Sequence, residues 1–197
     1  MFAKKIVWRV VPWDSWLHHK VRKLRRRRTP EGRKQKLILT LAKEHGLHVF
    51  IETGTFLGDM IDGVEEQFDE IHSVELSEEL YQMVKERFRN KPKIRLYQGD
   101  SGKILPEILL KVDRPALIWL DVHFIPDIPS WKKLPVAEPN PPTPVLSELE
   151  AIRCSSKKLR HLVLVDDASS FTGRNGWPGL MDLVKSPEIR ENVLILA

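Results

Sequence analysis

Five short apolar segments are separated by amphipathic stretches, and four of the five stop on a carboxylate. The segments are residues 48–52, 71–75, 94–97, 116–121 and 161–166, with a sixth at 192–196. Amphipathic stretches at 37–43, 60–68, 77–90, 102–110 and 143–153 read as helices. In the third of these Leu80, Val84 and Phe88 recur on one face, behind Ser77 as N-cap and Glu78 and Glu79 in the first turn. Strands that alternate with helices, without tight hairpins, require a parallel sheet covered on both faces. The predicted fold is therefore α/β, a Rossmann-like doubly wound, mainly parallel sheet. In such a sheet Glu52, Glu75, Asp121 and Asp166 end their strands on one edge, and that edge is where ligands bind.

The bulk properties narrow the functional classes. At 197 residues the chain has room for one well-cored domain and an arm. Its single cysteine, Cys154, excludes an internal disulfide framework and a Cys-rich zinc site, and reads as a small buried residue. No apolar run approaches the roughly 18 residues of a membrane span. The basic N-terminus lacks the apolar core and cleavage site of a secretory signal, so a cytoplasmic location is expected.

Charge is unevenly placed. Residues 1–36 hold 13 Lys and Arg against Asp14 and Glu31, a net +11, whereas the whole chain is +5. The rest is mildly acidic, which argues against a nucleic-acid groove across its face. The reading is thus an arm, 1–36, and a domain, 37–197. The arm carries Trp8, Trp13, Trp16 and the run from Arg25 to Arg28. Tryptophan beside a basic run suits an anionic membrane surface, peripheral to which the protein would sit, or another polyanion. It suits equally a lid over the ligand edge or a packing arm in a homodimer.

Three motifs follow the first three strands. Glu52-Thr53-Gly54-Thr55-Phe56-Leu57-Gly58 places two glycines and one acid where the chain leaves the first strand. It is neither the glycine pattern of a dinucleotide site nor a phosphate loop, and it suits a ligand with an ammonium group and a ribose. Glu75, followed by Leu76, can accept two hydrogen bonds from a ribose diol. Gly99-Asp100-Ser101 follows the third strand, in position to meet an adenine ring.

Together these motifs resemble those of class I S-adenosylmethionine-dependent methyltransferases, over roughly residues 37–197. The resemblance implies S-adenosylmethionine as cofactor. It places the methionine part at Glu52, Thr53, Gly54, Thr55 and Gly58, the ribose at Glu75 and Leu76, and the adenine at Asp100 and Ser101, with Asp121 also at the cofactor.

Asp121, Asp166 and Asp167 lie at adjacent strand ends, where three carboxylates repel unless a cation joins them. Oxygen ligands favour Mg²⁺ or a similar divalent ion. The pattern resembles the metal-dependent O-methyltransferases of the catechol and macrocin types, which implies Asp121, Asp166 and Asp167 as metal ligands. His123 stands where the macrocin type has an acid, and is expected as the base, with Asp121 beside it in catalysis. The prolines at 126, 129, 135, 139, 141, 142 and 144 describe a long loop leaving the fourth strand, suited to shaping a substrate site.

The expected function is methyl transfer to a hydroxyl of a small-molecule acceptor, a sugar or a secondary metabolite. Two alternatives remain open at this stage: metal-dependent hydrolysis on the same sheet, and a non-catalytic cofactor-binding or interaction module worked through its arm. The resemblance also calls for a closing antiparallel strand. The tail at 192–196 leaves three alternatives: a truncated sheet, a different course, or a last strand that is itself the closing one.

Overall fold

The computed structural model describes residues 29–121, 135, 137, 143–174, 176–185 and 188–196. The arm through residue 28, His123 and most of the Pro-rich segment lie outside the described residues, so the readings placed on them are not addressed by it. In chain order the elements are α1 (Pro30–Glu44), β1 (Val49–Thr53), α2 (Asp59–Val64), β2 (Glu70–Glu75), α3 (Glu78–Arg87), β3 (Ile94–Gln98) and α4 (Ser101–Lys111). They continue with β4 (Ala116–Leu120), α5 (Val145–Arg153), β5 (Leu162–Val165), α6 (Leu180–Leu183), β6 (Glu188–Arg190) and β7 (Val193–Leu196).

The strands form one sheet in the order β3-β2-β1-β4-β5-β7-β6. β1 to β5 are all parallel, whereas β7 runs antiparallel to both β5 and β6. The α/β, mainly parallel architecture is the one expected, and the last strand is itself the closing antiparallel one. β6 escapes sequence reading because its three residues are all exposed and carry no apolar pattern. It reaches β7 through Glu191 and Asn192, both at positive φ, as a tight two-residue hairpin requires.

Side chains of successive strand residues point to opposite faces, so each central strand feeds two cores. Phe50, Leu117, Trp119 and Leu164 pack with Ile38, Leu41, Ile61 and Phe88 from α1, α2 and the end of α3. Ile51, Ile118, Leu120 and Val165 pack with Leu105, Ile108 and Val145 from α4 and α5. Helices thus cover both faces. Among the described residues no helix is long and apolar enough to cross a membrane.

Three local expectations are corrected. α1 starts at Pro30, seven residues before the periodic stretch. Thr29 caps it by accepting from the Gly32 amide at 3.1 Å, and Pro30 with Glu31 suits the first turn. The helix expected over 60–68 ends at Val64 and tightens into a single 3-10 turn, Glu65–Gln67. Cys154 is exposed and free, because it caps α5 at the surface, where its thiol meets Glu150.

A buried polar cluster links β2 to the edge strand β3. His72 is fully buried, with Nδ1 at 2.9 Å from the Tyr97 hydroxyl and Nε2 at 3.0 Å from Glu70 Oε1. A carboxylate only accepts, so Nε2 carries the proton and the hydroxyl donates to Nδ1. Burial holds the His72 pKa below the ordinary imidazole value, against the raising influence of Glu70. The unfolded chain therefore takes up this proton at higher pH than the folded chain does. The stability it contributes is complete above the ordinary imidazole value and is lost as pH falls through that value toward the lowered one. Urea titrations of wild type and His72→Gln across this range measure the effect, and the substitution should flatten the slope. An unchanged slope contradicts the assignment.

Candidate active site

β1 and β2 deliver the first part of the site. The chain leaves β1 through Gly54 (φ 83), Phe56 (φ 50) and Gly58 (φ 76), a tight loop with three left-handed residues. Glycine takes this conformation freely. Gly58 is also needed for space, since a Cβ there would sit 2.7 Å from Phe88 Cε2. The amides of Gly54 and Thr55 both donate to the Val74 carbonyl, tying the loop to β2.

Glu52 lies beneath this loop, 1% exposed. Ser73 Oγ donates to it at 2.5 Å, and Thr55 Oγ1 shares a 2.6 Å hydrogen bond with Ser73 Oγ. Burial raises the Glu52 pKa well above its ordinary value. Ser73 opposes that shift, and Asp121 and Glu75 add to it. Glu52 thus supports the loop from below instead of lining an open surface. Thr53 is also fully buried, and its Oγ1 has no hydrogen-bond partner among the described residues.

Glu75 occupies the end of β2 and organises two amides. Phe56 N donates to Oε2 at 2.7 Å, and Ser77 N donates to Oε1 at 2.9 Å. Burial pushes its pKa up, and these backbone donors oppose the shift. The Leu76 amide also approaches the carboxylate, and of its roughly four lone pairs at least one stays open to a further donor. Leu76, half-buried, follows it, and its carbonyl accepts from Gln98 Nε2. At the next strand end Asp100 caps α4, accepting from the Gly102 amide at 2.9 Å. Ser101 is buried, and its Oγ has no hydrogen-bond partner among the described residues. Ser77 Oγ donates to the Pro135 carbonyl at 2.6 Å, so the Pro-rich segment touches the end of β2.

The second part lies at the ends of β4 and β5. The Asp121 amide donates to the Thr53 carbonyl, and the Asp166 amide to the Leu120 carbonyl, so both acids sit level with the start of the glycine loop. Trp119 Nε1 donates to Asp121 Oδ2 at 3.3 Å. Asp167 is left-handed (φ 47), a conformation aspartate tolerates better than most residues. Asn192 steadies it from the hairpin, donating to Asp167 Oδ1 and accepting from the Ser169 amide.

Among the described residues no three acidic, His or Cys side chains are arranged to hold a metal ion. The Lys34 ammonium instead contacts Asp166 at 2.6 Å and Asp167 at 3.2 Å. Burial by itself lowers the Lys34 pKa, but Asp166, Asp167 and Asp121 outweigh it and leave the pKa raised. Burial raises the Asp166 pKa despite this lysine, and Asp167 raises it further. The three carboxylates meet at one edge, and Lys34 brings a positive charge to them. Sequence reading missed Lys34 because it was assigned to the arm. The signal was present in Thr29-Pro30-Glu31, a helix start that puts Lys34 on α1.

No protein-family model matches the chain, and no curated protein does. Solved structures do. A methyltransferase from Geobacter sulfurreducens superposes with a TM-score of 0.55 at 12% identity, over 94% of this chain and 90% of that one. The O-methyltransferase TomG from Streptomyces achromogenes, involved in tomaymycin synthesis and solved with SAM, gives 0.54 at 15%, over 83% and 78%. The SAH-bound Podospora anserina methyltransferase PaMTH1 gives 0.50 at 16%, over 83% and 65%, so the chain spans just under two thirds of that protein's length. At these identities the likeness is one of fold: the seven-stranded sheet is that of the methyltransferase Rossmann-like fold.

Proposed function

We propose that this protein is an S-adenosylmethionine-dependent methyltransferase acting on a hydroxyl of a small molecule, a sugar or a secondary metabolite. The observation that carries the reading is Glu75. Its carboxylate is pinned by the Phe56, Ser77 and Leu76 amides yet keeps an acceptor site for a ligand hydroxyl, beside a glycine-rich left-handed loop. The buried hydroxyls of Thr53 and Ser101, which lack hydrogen-bond partners among the described residues, lie at the same sheet edge and suit a polar ligand there.

In this reading Gly54, Thr55 and Gly58 hold the methionine part, with Glu52 positioning the loop through Ser73. Glu75 and Leu76 hold the ribose, and Asp100 and Ser101 border the adenine. When bound, the cofactor supplies an electrophilic methyl group on a sulfonium. Asp121, anchored by the Trp119 indole, orients the acceptor or the cofactor, and His123 takes the acceptor proton. The metal assistance expected from the sequence gives way to Lys34 in this proposal.

The reading is tested with methyl-tritiated S-adenosylmethionine and a panel of hydroxylated small molecules. Label should pass to at least one acceptor, and His123→Ala should lower the rate. A protein that binds the cofactor but labels none of the panel favours a non-catalytic binding module.

A further inference from the structure

We infer that Lys34 is a built-in replacement for the divalent cation at this site, so that the carboxylates of Asp166 and Asp167 are closed to metal ions. This deepens the methyltransferase reading and, for its catalytic consequence, rests on it.

The Lys34 ammonium lies 2.6 Å from Asp166 Oδ1 and 2.7 Å from Asp166 Oδ2, so it straddles the whole carboxylate. It also reaches Asp167 Oδ1 at 3.2 Å. Asp166 Oδ1 accepts the Asp167 amide as well, at 2.7 Å, and Asp167 Oδ1 accepts from Asn192 Nδ2 at 3.3 Å. A divalent ion needs these same oxygens at about 2.0–2.6 Å. It would have to displace the ammonium or stand beside it as a like charge, so the two occupants exclude each other.

Placement gives the second argument. Lys34 is held at the edge by its own helix, not by a free side chain reaching in from solvent. Thr29 caps α1, and Gln35 Nε2 donates to the Asp59 carbonyl at the start of α2, at 2.9 Å. Arg33 pairs with Glu191 in the β6–β7 turn at 2.6 Å. The residues on both sides of Lys34 therefore bind opposite ends of the site, and the lysine between them is 16% exposed. This turn of α1 is thus held in place, and the ammonium is kept close to both carboxylates.

Lys34 is thus a positioning residue. It balances the acids and fixes the β5 end, and methyl transfer proceeds without a divalent cation.

The test is uptake of Mn²⁺ by chelator-treated protein, read from the electron paramagnetic resonance of the free ion, with neither cofactor nor acceptor present. Wild type should leave the signal unchanged. Lys34→Ala should take up one ion per chain, and adding Asp166→Asn should abolish that uptake. Lys34→Gln, which keeps a neutral donor of similar length, is run alongside in case the alanine variant folds poorly. It should also take up the ion, and the wild-type measurement requires no variant at all. The inference is overturned if wild type takes up Mn²⁺ and Asp166→Asn loses it, or if neither Lys34 variant takes up more than wild type. Because this readout needs no methyl donor, its failure leaves the methyltransferase reading standing, and failure of methyl transfer leaves the Lys34 assignment standing.

Discussion

Glu75→Ala lowers cofactor affinity by about 1.5–3 kcal/mol, the usual range for hydrogen bonds to a charged group. That corresponds to roughly a 10- to 150-fold weaker Kd. Under the proposed function the substitution removes an acceptor for the ribose hydroxyls. It also takes from the amides of Phe56 and Ser77 their carboxylate, so the glycine loop and the start of α3 lose their common anchor. Glu75→Gln separates the two effects. It keeps one oxygen but turns an amide group toward an N–H donor, so its affinity should fall between those of wild type and Glu75→Ala. Calorimetric titration of each protein with SAH measures this, after denaturant titration has confirmed that each folds. An unchanged affinity in Glu75→Ala removes Glu75 from the cofactor site.

Trp119→Ala costs about 3–5 kcal/mol of folding stability, as for other large aromatics removed from a packed core. Trp119 is fully buried at the centre of the sheet, against the cluster that includes Phe50, Phe88 and Leu164. The loss corresponds to a Tm lower by roughly 6–20 °C for a chain of this size. Trp119→Phe refills most of the space but removes the indole N–H that reaches Asp121. It should therefore cost far less stability while still lowering transfer, because Asp121 loses a donor that fixes its orientation. If both variants lose transfer only in proportion to folded protein, the link from core to acid has no functional weight.

The two halves of the site were not equally legible in the sequence. Buried parallel strands are apolar throughout, so β1, β2, β4 and β5 announce themselves, and with them the acids at their ends. Glycines at forced left-handed positions mark the loop after β1 in the same way. Where burial imposes no pattern, reading failed. β6 is three exposed residues, and the first two turns of α1 carry no apolar stripe, their buried residues being Gly32 and Gln35. That second gap bears on the site. With Lys34 placed in an arm, the three carboxylates have no counter-charge from the chain in the sequence reading. Only the tertiary fold brings in the positive charge of Lys34, from a helix more than a hundred residues from Asp166 in the chain. The carboxylate of Glu52 is a comparable case. Its place in the motif suggests a ligand contact, and only the fold shows that it is buried and accepts from the Ser73 hydroxyl.

The central claim is that the edge formed by β1, β2 and α4 holds S-adenosylmethionine. Isothermal calorimetry of the full chain with S-adenosylmethionine and with SAH tests it most directly, with thermal unfolding run at the same ligand concentrations. The account predicts one site with micromolar affinity. At a hundredfold excess over Kd the native state then gains about 2.7 kcal/mol, with a matching rise in Tm. No heat of binding and no rise in Tm at roughly millimolar ligand, a concentration at which any such site would be filled, would contradict it.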